Sequence, residues 1–228
     1  MLLIGGKHGL FALGSLIINI VLLLLLIFTK IEGISLLNIS ILFVVIGMII
    51  SILALDGWNR SSIIKISAAV TSVFLAFFIC LLTMNLWKDQ GLRYEELNYL
   101  TRPYRSVFLS SVLIGTAGGT LDTVITVIAT LEELTKRQPE ITAKQLWLSG
   151  RQVGRDVIGS MTNILLFVYI SGSVPSLLLY LGNQWSFKET IEQHLSLEFL
   201  RVIAGSLGIV LSIPISVLFF LTVRRLKR

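Results

Sequence analysis

Apolar residues run along this chain in long blocks. They do not alternate as in a half-buried strand, and they do not form the narrow stripe of a surface helix. Six blocks stand out, at about residues 10–28, 34–55, 63–87, 107–131, 157–181 and 199–223. Each has the roughly 20 residues that a helix rising 1.5 Å per residue needs to cross hydrocarbon. The pattern predicts an all-α fold: a polytopic membrane bundle of about six transmembrane helices in one integral membrane domain, residues 1–228. Residues 30–33 and 56–60 read as tight turns. The polar stretch 88–106, with Glu95 and Glu96, is compatible with a short surface helix. In the stretch 132–155, Thr142 reads as the N-cap of an amphipathic helix that lays Leu146 and Trp147 at the membrane interface. Lys7 and His8 before the first block resemble a signal peptide. That block is long enough to span, however, and Thr29-Lys30-Ile31-Glu32 offers no small-residue cleavage site, so a retained helix is expected.

Composition strengthens this reading. Of 228 residues, 54% are hydrophobic and 14% charged, and the mean hydropathy is +0.86. Soluble domains carry roughly a quarter charged residues. The net charge of +6 is not a nucleic-acid signature, because the basic residues sit between apolar blocks and not along one face. It reports orientation instead. Placing both termini in the cytoplasm puts 12 of the 19 Lys and Arg inside, most clearly in the Arg224-Arg225-Leu226-Lys227-Arg228 tail. The lone Cys80 excludes an intrachain disulfide and reads as core packing. No His, Cys, Asp and Glu spacing points to a metal, and none calls for a cofactor.

The informative residues are polar ones inside apolar blocks. Asp122 lies near the middle of the fourth block, where a carboxylate costs roughly 2.5–3.5 kcal/mol on insertion scales. On helical spacing it shares a face with Gly115, Gly118 or Gly119, and Thr126. In the fifth block Asp156, Ser160 and Asn163 share a face, with Arg155, Gly159 and Thr162 on the next. Asp122, Thr126, Thr162 and Asn163 are therefore the candidate proton or ion site, with Asn163 the expected hydrogen-bond partner of Asp122. Arg155 and Asp156, near Glu132 and Glu133, form a candidate cytoplasmic gate. Gly115, Gly118, Gly119, Gly159, Gly205 and Gly208 are candidate helix-packing positions. Pro214 is expected to kink the sixth helix. Small-residue stripes are packing features in most bundles, and a Ser or Thr within a span usually bonds its own backbone.

The strings Ile114–Asp122, given in full by Ile114-Gly115-Thr116-Ala117-Gly118-Gly119-Thr120-Leu121-Asp122, and Gly154-Arg155-Asp156-Val157-Ile158-Gly159-Ser160-Met161-Thr162-Asn163 resemble the YibE/F family of bacterial membrane proteins. Pro139-Glu140-Ile141-Thr142 and Arg201-Val202-Ile203-Ala204-Gly205 extend the likeness from about residue 106 onward. The resemblance implies a multi-pass protein of the bacterial plasma membrane. It also implies the shorter of two family forms, pairing with a longer YibE/F-type subunit or with itself. The order of polar helices is more distantly similar to a six-helix half of the resistance–nodulation–division superfamily, which includes the SecDF export subunits. In that superfamily an acid on the fourth helix takes part in proton coupling, and a large outer domain usually separates the first two helices; here only four residues do.

Two functional expectations follow. The first is a transporter or permease subunit with Asp122 as a proton- or ion-responsive group. The second is a non-transporting assembly partner whose small-residue stripes are subunit contacts. An enzyme is not expected, because no second catalytic group accompanies Asp122.

Overall fold

The computed structural model describes residues 2–29, 35–92, 94 and 103–225. The turn at 30–33, the candidate surface helix around Glu95 and Glu96, and the tail residues Lys227 and Arg228 lie outside these. Among the described residues there is no strand. The long helices are α1 (Leu2–Thr29), α2 (Leu36–Asp56), α3 (Arg60–Leu86), α4 (Tyr104–Arg137), α5 (Ala143–Gly182) and α7 (Ser196–Arg225). A single turn, α6 (Phe187–Thr190), leads through a π-helical turn (Ile191–Leu195) into α7. Five helices, α2, α3, α4, α5 and α7, are long and apolar enough to cross a membrane. In α1 the apolar stretch is shorter, Gly9–Leu25.

Local chemistry sets these boundaries. The Ser35 hydroxyl caps α2 by accepting from the Asn38 N–H at 3.4 Å. Gly57, at φ 71°, ends α2, and that left-handed turn brings the chain straight into α3. Thr142 and Gln145 form a reciprocal capping box at the start of α5. The N-cap expected at Thr142 is thus in place, but the expected separate amphipathic helix is not. It runs without interruption into the fifth span as one 40-residue helix. Nothing between the capping box and residue 157 removes a ladder donor, and Gly150 and Gly154 are held against α7. Pro214 lies inside α7, which continues as helix on both sides of it.

The core is built around α7, which packs most extensively on α4, α3 and α5. Ile209 and Val217 of α7 are fully enclosed, with Val124, Val127, Ile128 and Leu131 of α4 and Ala68, Ala69 and Val73 of α3. Small residues on α3 and α7 let the backbones approach, as in membrane bundles that lack a hydrophobic drive between helices. Gly208 is the tighter of the two α7 glycines: a methyl there would stand 2.6 Å from Thr116 and Thr120 side-chain atoms of α4. Thr116 bonds its own backbone, donating to the Val112 carbonyl at 2.8 Å. The large exposed apolar residues, such as Phe78 on α3 and Phe167 on α5, lie on the outer surface, where hydrocarbon is their solvent.

Candidate functional site

Asp122 sits near the middle of α4, about 22–27 Å of helix from either end at 1.5 Å per residue. Its side chain is exposed on the outer surface of the chain. Thr126 is one turn further along, also exposed, and its hydroxyl donates to the Asp122 carbonyl at 2.8 Å. Gly118 is exposed one turn before. Gly118, Asp122 and Thr126 therefore share one face that points outward, while Gly115 and Gly119 lie against neighbouring helices.

The expected Asp122–Asn163 hydrogen bond is not formed. Asn163 is exposed, and neither side chain has a hydrogen-bond partner among the described residues. Packing supplies the reason. Gly154 sits against Ile213, where a methyl would lie 2.6 Å away, and Gly150 against Val217, at 2.5 Å. These contacts draw the first half of α5 onto α7. Contact between α4 and α5 falls at Gly115, under the Tyr169 hydroxyl, and at Gly119, where a methyl would lie 3.7 Å from Leu165. Thr162 is half-buried, with a buried hydroxyl that has no partner among the described residues.

The glycines divide accordingly. Gly115, Gly119, Gly205 and Gly208 make close interhelical contacts; a methyl at Gly205 would lie 2.8 Å from Leu165. At Gly118 and Gly159 a methyl would meet nothing within 4 Å. Those two belong to the open surface, not to packing within the chain. The residues of the candidate gate are likewise on the surface and do not come together. Glu133 pairs with Arg137 at 2.7 Å along its own helix, while Arg155 and Asp156 are exposed and form no ion pair among the described residues.

Three polar clusters were not anticipated from the sequence. Arg201 of α7 bonds Glu198 at 2.5 Å and donates to the Ser111 hydroxyl of α4 at 2.9 Å. Its guanidinium lies 5.3 Å from the Phe108 ring centre and 6.0 Å from that of Tyr169 on α5, so one cation pins three helices. Lys65, buried in α3, pairs with Asp56 at the end of α2. In the apolar first helix Asn19 donates to Ser51 of α2 at 3.0 Å. A signal for each was present. Glu198 and Arg201 are three residues apart at a span start, Lys65 lies inside an apolar block, and Asn19 is an amide in the middle of one.

Among the described residues no group of His, Cys, Asp or Glu is placed to hold a metal. No curated protein and no solved structure matches the chain. A family model described as YibE/F-like protein matches residues 1–225. With its apolar helices forming a bundle and this match spanning nearly the whole sequence, the chain is a membrane protein that belongs to the YibE/F-like family.

Proposed function

We propose that the chain is a subunit of a transporter or permease assembly in the bacterial plasma membrane, with Asp122 as its proton- or ion-responsive group. In this reading another chain, a longer YibE/F-type subunit or a second copy, covers the face that carries Asp122. One observation supports it above the rest: Asp122 lies mid-helix on an outward face, with no side-chain partner among the described residues. A bare carboxylate facing lipid at that depth is costly. A neighbouring subunit or a water-filled path between subunits removes that cost. Thr126 on the same face, and Asn163 and Ser160 exposed on α5, would line such a path.

The test is proton flux into vesicles reconstituted with the assembled protein. Asp122→Asn is expected to assemble normally and to abolish the coupled flux. Unchanged flux in the assembled variant would remove Asp122 from the mechanism.

A second reading, a non-transporting assembly partner, is favoured by the open glycines. Gly118 and Gly159 are small residues on exposed faces, the places where another helix backbone could approach. That reading expects Asp122→Asn to be harmless and a bulky residue at Gly118 or Gly159 to prevent assembly.

A further inference from the structure

We propose that the cavity at the shared end of α2, α3, α4 and α7 binds an anionic phosphate group, carried by an acidic phospholipid headgroup or by a soluble phosphate. The cavity has a volume of about 540 Å³. Arg60, Lys65, Lys136 and Arg224 line it, against the carboxylates Asp56 and Glu132. Lys65 is 3% exposed and already joined to Asp56, so that pair is internally neutral. Three cations then face one carboxylate. Arg60 and Lys136 form no ion pair among the described residues. Arg224 donates one N–H to the Pro139 carbonyl at 2.9 Å, which fixes its guanidinium and leaves other donors free.

Neutral donors add to these charges. The Ser61 hydroxyl is buried at the cavity wall, without a partner among the described residues. Asn59, at the N-cap of α3, donates its side chain to the Asp56 carbonyl at 2.7 Å and makes no side-chain cap bond. The first N–H groups of α3 therefore keep their donors and the positive end of the helix dipole. Guanidinium, ammonium, hydroxyl and helix N–H groups converging from several helices match an oxyanion with several free oxygens. Ile64, Phe220 and Val223 supply apolar wall beside the charges, room for the carbon part of a larger ligand. The cavity shares no residue with the Asp122 face, so the inference stands apart from the transport reading.

The experiment uses the full chain in phosphatidylcholine vesicles and reads the thermal unfolding midpoint. One arm adds phosphatidylglycerol to the vesicles; the other titrates inorganic phosphate at constant ionic strength. At least one arm is expected to raise the midpoint in a saturable way. A response to phosphatidylglycerol alone identifies a lipid headgroup, and a response to inorganic phosphate alone a soluble ligand. Arg60→Gln with Lys136→Gln should weaken the response about 100-fold in concentration, roughly tenfold per charged donor. Lys144→Gln with Arg151→Gln removes the same charge elsewhere and should leave it unchanged. Glu132→Gln removes the opposing carboxylate and should strengthen it. No response in either arm, or equal weakening in both double variants, overturns the proposal. Should the cavity double variant fail to fold, Glu132→Gln decides alone: unchanged or weaker binding also overturns it.

Discussion

Two helices of this bundle, α7 and α5, both run through apolar sequence, yet half of the most apolar window of α7 is buried against 6% for α5. The difference lies in what each carries on its faces. Along α7, Ala204, Gly205, Gly208, Ser212 and Ser216 are all buried, and three helices close around them. In α5 the small and polar residues Gly159, Ser160, Asn163 and Gly172 are exposed. The same residue types thus do two jobs. On α7, and at Gly150 and Gly154 of α5, they bring backbones together inside the chain; at these four positions of α5 they leave a surface that only lipid, water or another chain can meet. The comparison places the internal core and the candidate subunit contact on different helices, and substitutions should separate them.

The largest effect is expected on the packed side. Gly208→Leu forces a branched side chain onto Thr116 and Thr120 of α4, with Ala76 of α3 only 3.7 Å from the first carbon. Overpacking of this kind costs about 3 kcal/mol, and more where backbones must part. Reversible denaturation in mixed micelles should show most of the protein unfolded under conditions where the natural chain is folded. A stable Gly208→Leu protein would mean that α7 is not the centre of the bundle.

Next is the pin at the beginning of α7. Glu198→Gln leaves the Arg201 guanidinium, 14% exposed, without its carboxylate among Phe108, Tyr169 and Ser111. A loss of about 2–3 kcal/mol is expected from an interior charge deprived of its partner. Arg201→Met with Glu198→Leu should recover much of it, because apolar replacement of both partners is often neutral. A double variant no better than either single one would show that the cluster holds something besides the fold.

A smaller change is expected where α1 meets α2. Asn19→Ala removes the bond to Ser51 and leaves space beside Gly47, where a methyl would lie 2.9 Å from the Asn19 amide oxygen. Interhelical hydrogen bonds in membranes average about 0.6 kcal/mol. The same denaturation assay should find a decrease near that size. A loss several times larger would make α1 an essential part of the core and not a peripheral helix.

Hydropathy alone made much of this fold legible, because a helix in lipid must satisfy its own backbone and so reveals itself as a long apolar block. The blocks at 34–55, 63–87, 107–131, 157–181 and 199–223 each correspond to a long apolar helix. The join between the amphipathic segment and the fifth span was not legible. The polar residues of 144–156 look like a linker by hydropathy, whereas backbone continuity depends on the absence of a breaker and on Gly150 and Gly154 resting against Val217 and Ile213. Which way Asp122 points was hidden for a related reason. Periodicity groups it with Gly115, but only the approach of Tyr169 and Leu165 fixes where α5 touches α4, and that depends on side chains far apart in sequence. The ion pair of Lys65 with Asp56 was missed because Lys65, though inside the block, lies so close to its start that it reads as orientation charge beside the turn.

The smallest effect on folding should come from Gly159→Leu, and it sharpens the comparison most. A side chain at this position meets nothing within 4 Å, so the isolated chain should lose less than about 0.5 kcal/mol. Leucine also favours helix by about 1 kcal/mol over glycine in water, so a slight gain is as compatible as no change. If α5 faces only lipid, association should be equally indifferent, since leucine is as apolar as the chains around it. If another helix seats itself on this face, the added side chain separates the two backbones, and the assembled species should disappear from crosslinking or native mass spectrometry while the monomer stays folded. Gly208→Leu cannot give that pattern, because it damages the monomer first. Gly159→Leu with intact folding and unchanged assembly would leave α5 a lipid-facing helix, and Asp122 would then need some other cover for its charge.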